Sequence, residues 1–161
     1  MVTLNNRKYM VIVDYYSQFI DVFTMTSTSS KAVINHMKAV FARHGTPCEL
    51  ISDNGPQFAS QEFQSFAKDW DFHHTTSSPH YPQSNGLAEN AVKIVKRLIS
   101  KSQHSGQDIH RALQVYRSSP LACGKSPAET PLQSSTSIES PYAWQFTRQP
   151  KDRYSISEGK K

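Results

Sequence analysis

Between residues 8 and 121 the spacing of apolar side chains switches back and forth between strand-like and helix-like patterns, and this alternation limits the fold more than any other feature. The run KYMVIVD (8–14) is rich in Val, Ile and Tyr and reads as a buried strand. After a turn-like YYSQ, FIDVFTM (19–25) reads as its hairpin partner. Residues 29–45 begin with serine caps, end at Gly45-Thr46-Pro47 and place Ala32, Val33, Met37, Val40 and Phe41 on one face, which predicts an amphipathic helix. A short strand (48–52) follows, then a helix (60–70) with Ser60 as its cap and Phe63, Phe66, Ala67 and Trp70 inward, then a strand (72–77). Strands and helices that alternate in this way predict a mixed sheet flanked by helices, the α/β class.

Further along, SPHYPQSNG (78–86) holds two prolines and a glycine and reads as a loop long enough to suggest function. A helix is expected over 87–102, with Ala88, Val92, Val95 and Ile99 on its apolar stripe, and another over 108–121 that stops before Pro120. From residue 133 onward the chain is rich in Ser, Pro, Thr and Gln without periodicity. The expected organisation is therefore one domain over 1–132 and a low-complexity, disordered tail over 133–161.

A length of 161 residues suits one domain with its own core. No run approaches a membrane span and no basic-then-apolar signal pattern opens the chain, so an intracellular protein is expected. Cys48 and Cys123 form no CxxC, and with seven scattered histidines they give no zinc-ligand spacing. Lys and Arg outnumber Asp and Glu by 18 to 13, a net +5. A solvated surface explains so mild an excess as well as a polyanion partner such as DNA does, and only clustering separates the two.

The stretch ISDNGPQF (51–58) carries the first chemical hint. A strand runs straight into Asp53, and Asn54-Gly55-Pro56 prevents it from continuing. Taken alone, this is ordinary turn punctuation. Two more carboxylates stand in comparable places: Asp14 at a strand end, and Glu89 just inside the helix after the loop. Carboxylates so placed can converge, and Mg²⁺ takes one or two of them together with water and substrate phosphate. Two such ions about 3.5–4 Å apart serve in-line phosphoryl transfer. Glu89 also has plainer explanations, as favourable charge in a first helical turn or as an i,i+4 partner of Lys93. At roughly 100° per residue, Lys93 lies about 40° and Lys96 about 20° from Glu89 around the axis, with Arg97 about 80° away. A carboxylate backed by lysines on one face suits cations plus a phosphate backbone.

Together the segments SDNGPQF, EFQSFAKDW and HTTSSPHYPQSNGLAENAVKIVK closely resemble the catalytic core of retroviral integrases, and most of all those of gypsy-type LTR retrotransposons. Asp53 and Glu89 have 35 residues between them, the interval of that family's second and third acidic residues. YMVIVDYYSQFIDVF looks like its early hairpin and YRSSPLACGKSPAE (116–129) like its closing segment, so the likeness spans roughly 3–131. The resemblance implies a ribonuclease-H-like fold, a DNA strand-transfer site with Mg²⁺ or Mn²⁺ on Asp53 and Glu89, DNA phosphates on Lys93 and Lys96, and a nuclear location. It also implies that Gln83, Ser84 and Asn85 help to position DNA ends, although Asn85 serves equally well as a turn cap, and that the protein acts as a homo-oligomer.

One departure qualifies this. On spacing alone Asp14 is the natural third ligand, but the resemblance aligns it with a non-catalytic position on the family's second strand. The family's first catalytic aspartate lies in a segment that would precede Met1. The expectation is thus a core lacking most or all of its first strand, with two of three acidic ligands and weakly held metal. Two readings follow: a polynucleotidyl transferase core crippled by that loss, or a non-catalytic nucleic-acid-binding remnant or host-adopted relative. A ribonuclease H or another nuclease on the same fold fits the 78–86 segment less well.

Overall fold

The computed structural model describes residues 1–76, 82–130 and 143–146, with the backbone alone at 82–85 and 143–146. Strand β2 (Arg7–Asp14) is the spine of the sheet. Its Met10 and Ile12 enter one core while Tyr9, Val11 and Val13 enter another. Burial on both faces is why the run is continuously apolar rather than alternating. β1 (Val2–Leu4) folds back on β2 through Asn5 and Asn6, both at positive φ (48° and 59°), the conformation that tight two-residue hairpins need and that asparagine tolerates. This short strand lies outside the segments expected from periodicity. β3 (Ile20–Met25) pairs antiparallel along the other edge of β2, from Lys8↔Met25 to Val13↔Ile20.

Helix α1 (Ser30–His44) starts where the Ser29 side chain accepts the Ala32 N–H and ends where Gly45, at φ 87°, donates its N–H to Phe41 C=O. β4 (Glu49–Ser52) and β5 (His73–Thr76) are parallel neighbours joined through α2 (Gln61–Asp69), which Ser60 caps. α1 and α2 cover one face of the sheet. There Phe58, Phe63, Phe66 and Phe72 meet edge to face, with centroids 5.2 Å apart for the Phe58–Phe63 and Phe66–Phe72 pairs. Such pairs add about 0.5–1.5 kcal/mol each beyond their burial. Ala32 and Trp70 are only partly buried against this core. On the opposite face α3 (Pro82–Ser105) docks through Ala88, Ala91, Val92, Val95 and Ile99, and α4 (Ile109–Ser118), capped by Asp108, adds Ile109 and Tyr116.

The loop expected over 78–86 is helical from Pro82 onward. Proline suits a first helical turn, where its missing N–H has no acceptor to lose, and nothing crowds Gly86. Residues 77–81 lie outside the described residues.

The centre of the sheet differs most from expectation. β6 (Ala143–Phe146) lies between β2 and β4, antiparallel to the first and parallel to the second. This central position is taken by four residues inside the span expected as a tail, and the rest of that span lies outside the described residues. Because β3 holds one edge of β2 along 8–13, β1 (opposite 7–9) and β6 (opposite 12–14) share the other edge end to end. Among the described residues no helix is long and apolar enough to cross a membrane.

Candidate metal and nucleic-acid site

β4 ends at Ser52, and Asp53 follows it at the line where β6 and β1 meet. Asp53 Oδ1 accepts the Gly55 N–H (3.1 Å), and the carbonyl of Gly55 accepts the N–H groups of Phe58 (3.0 Å) and Ala59 (3.2 Å). A Cβ at position 55 would collide with the end of the Gln57 side chain and lie 2.8 Å from Asp53 Oδ1, so any larger residue here makes the Gln57 and Asp53 side chains shift. Asp53 Oδ2 is buried without a hydrogen-bond partner, and the Met1 amino nitrogen lies 4.0 Å from it. A buried carboxylate oxygen without a hydrogen bond is costly unless a cation meets it, and the Met1 ammonium meets this one only at the limit of an ion pair. Its chemistry fits a divalent cation, which takes carboxylate oxygen readily.

Beneath this corner Ser52, fully buried, donates its hydroxyl to the Asp53 carbonyl (2.9 Å) and meets His74 Nε2 at 2.8 Å. Which of Ser52 Oγ and His74 Nε2 donates in this contact is set by the tautomer of the ring. Burial, and then the neighbouring His73, hold the His74 pKa below its ordinary 6.5, so the ring is neutral at pH 7. A cleft of about 250 Å³ opens beside Asp53, lined also by Lys8, Thr28, Gly55 and Gln57. Sequence reasoning missed Lys8, Ser52 and His74. Their signals were a polar residue closing an apolar strand and the alternation in HHTT.

Glu89 is exposed on α3, one residue past the buried Ala88, and forms no ion pair with Lys93 among the described residues. Lys93 is exposed and Lys96 half-buried, while Val92, Val95 and Ile99 face the sheet. Gln83, Ser84 and Asn85 sit in the first turns of α3, and their side chains lie outside the described residues. Among the described residues no three His, Cys, Asp or Glu side chains form a group able to hold a metal. Asp53 thus offers an open oxygen without a closed ligand set.

Asp14, the third ligand suggested by spacing, is occupied otherwise. It is buried, and its Oδ2 accepts the Ser17 N–H (2.7 Å) and the Ser17 hydroxyl (2.5 Å), closing the β2–β3 turn. That is an Asx-type turn contact, and it leaves the oxygen committed.

The family model described as "Integrase core domain" matches residues 3–82. The chain carries an integrase core domain. This integrase core is 35% identical over 132 residues to an uncharacterized protein of Caenorhabditis elegans, across 78% of this chain and 10% of that protein. It is 33% identical over 97 residues to the Gag-Pro-Pol polyprotein of mouse mammary tumor virus, across 60% of this chain and 6% of that one. It therefore spans a tenth or less of the length of these curated relatives. Among solved structures it is similar to the catalytic core domain of BIV integrase, at TM-score 0.70 and 23% identity over 81% of this chain and 89% of that one, a likeness of fold. It is also similar to the HTLV-2 integrase catalytic core domain in complex with magnesium in its dimeric form, at TM-score 0.65 and 26% identity over 80% and 88%. The ribonuclease-H-like α/β class expected from the sequence is the fold found.

Proposed function

We propose that this integrase core binds DNA and is built to join DNA ends to a target by polynucleotidyl transfer, with Asp53 and Glu89 holding Mg²⁺ or Mn²⁺ only weakly and activity crippled for want of a third carboxylate among the described residues. The observation that carries the reading is Asp53 Oδ2, buried and without a hydrogen-bond partner at the carboxyl end of a sheet strand. Divalent cations held there would neutralise charge on the phosphate undergoing in-line displacement. In the reaction, water hydrolyses one phosphodiester to free a 3′ hydroxyl, which then displaces a 3′ oxygen from a target phosphodiester. The chain's own part is to aim and hold. Ser52 and His74 fix the backbone at Asp53, and the Gly55 N–H sets its carboxylate plane. Lys93 and Lys96 meet DNA phosphates, and Gln83, Ser84 and Asn85 position the ends. The partners are the element's DNA ends, target DNA and a second copy of this chain, and the place of action is the nucleus.

A non-catalytic DNA-binding role is the second reading, favoured by the lack of a three-ligand group among the described residues. Strand transfer on short labelled DNA with Mn²⁺ or Mg²⁺ separates the two. The transferase reading expects joined product that disappears in Asp53→Asn and Glu89→Gln. Salt-sensitive DNA binding with no product at any metal concentration would replace it with the second.

A further inference from the structure

We infer that the groove between β2 and β4 is a strand-acceptor site, and that residues 143–146 of the same chain, laid into it as β6, hold the end of β4 and with it Asp53 in place. The part that concerns metal rests on the reading of Asp53 as a ligand. Among the described residues the sheet's two halves, β1–β2–β3 and β4–β5, share no direct pairing, and β6 bridges them. With neighbouring strands about 4.8 Å apart, removing β6 would leave two strand edges about 10 Å apart.

Those edges are inside the protein. With β6 in place Ile12, Val13 and Leu50 are 1%, 1% and 0% exposed, so the pairing on both walls is shielded from water. β6 satisfies both walls at once: Ile12↔Phe146 to Asp14↔Trp144 on one side, Glu49↔Ala143 to Ile51↔Gln145 on the other. β4 is only four residues long. Its exit toward Asp53 is guided by the Ser52↔Thr76 pairing with β5 on one side and by β6 on the other. Without β6 one of the two guides is gone, and Asp53 sits one residue past the last pair.

Two full-length variants test this. In the first, Ile51→Cys and Gln145→Cys stand opposite each other, with the exposed Cys48 and Cys123 replaced by serine. Neighbouring strands hold Cα atoms within the 4.4–6.8 Å that a disulfide requires. Mild oxidation should give a cross-link within one monomer, with Mn²⁺ binding retained. In the second, Gln145→Pro removes a backbone donor from a strand paired on both sides. Amide exchange along 12–14 and 49–51 should accelerate tenfold or more, and half-saturation by Mn²⁺ should rise by a similar factor. A chain that forms no cross-link, or shows unchanged exchange in Gln145→Pro, overturns the acceptor site. A cross-link found only between two copies overturns the assignment of the occupant to the same chain. Faster exchange with unchanged Mn²⁺ binding overturns the hold on Asp53. Should Asp53→Asn leave Mn²⁺ binding untouched in the intact chain, it is the metal reading that fails, while the cross-link and the exchange still decide the strand.

Discussion

Asp21 and Asp53 are both withdrawn from solvent and each keeps an Oδ2 without a hydrogen bond, but the cations around them differ. Asp21, on β3, receives Arg117 Nη2 on Oδ1 at 2.6 Å, and its Oδ2 faces Arg43 and His44 at 3.7 and 3.6 Å. The same guanidinium holds the Ile20 carbonyl from Nε (3.0 Å) and Nη2 (2.7 Å) and lies 4.4 Å from the centre of the Phe19 ring, while Tyr116 donates to the Gln18 carbonyl. This carboxylate is a clasp that ties α4 and the end of α1 to the β2–β3 hairpin. Asp53 has a backbone N–H on one oxygen and, on the other, only the Met1 amino nitrogen at 4.0 Å. A carboxylate built for stability is matched by fixed cations, whereas one left open within a rigid turn is suited to a mobile cation.

The sharpest way to break this contrast is to remove each carboxylate in turn. Asp21→Ala should cost about 3 kcal/mol in chemical denaturation, near the low end for breaking a buried pair because Arg117 keeps some access to solvent. A loss under about 1 kcal/mol would mean that the clasp is ornamental. Asp53→Asn should change stability by no more than about 0.5 kcal/mol, since no strong partner is lost. The same variant should weaken Mn²⁺ binding at least tenfold, equivalent to about 1.4 kcal/mol. Were Asp53→Asn as destabilising as Asp21→Ala, the two sites would not differ in kind.

Smaller effects sharpen the picture. Lys93→Ala and Lys96→Ala should each make the slope of log affinity for DNA against log salt shallower by about one unit, with unchanged melting, as loss of one phosphate contact does. Slopes equal to that of the parent chain would place α3's polar face off the DNA path. The smallest effect concerns pH. Burial holds His44 and His74 below their ordinary 6.5, for His44 against the opposing pull of Asp21. The unfolded chain therefore binds these protons more readily than the folded one. Their contribution is complete above pH 6.5 and is lost as pH falls from 6.5 toward the lowered folded values. Denaturation midpoints measured from pH 7.5 to 5 should decline, and less steeply in His74→Asn. A midpoint that rises on acidification would contradict the burial of both rings.

Much of the fold was legible because its signals are local. Serine caps at 29 and 60, the Gly45 stop and apolar spacing placed α1 and α2 to within about a residue. The continuous apolar run of β2 announced burial on both faces. The site was legible only in part. Asp53 stood out because its strand stops so abruptly, yet nothing near it in sequence revealed that Ser52 reaches His74 across 22 positions or that Lys8 lines the same cleft. On spacing alone Asp14 looked equivalent to Asp53 as a strand-end carboxylate; the resemblance set it apart, and the Ser17 hydrogen bonds supply the physical reason.

From residue 8 to residue 76 the residues alone determined which segments are helix and which are strand, and which helix faces turn inward, since caps, stops and periodicity act over one or two turns of chain; the short β1 (Val2–Leu4) escaped them. Tertiary structure decided three things that no local window encodes. Pro82–Ser105 is one helix from its first proline, although 78–86 read locally as a loop, because α3 lies along the apolar face offered by Tyr9, Val11 and Val13. Arg117 found Asp21 from 96 positions away. Ala143–Phe146 became the central strand, with hydrogen-bonding edges of β2 and β4 waiting on both sides. Four residues cannot sustain a strand by themselves, because their backbone groups gain partners only when two walls already present them.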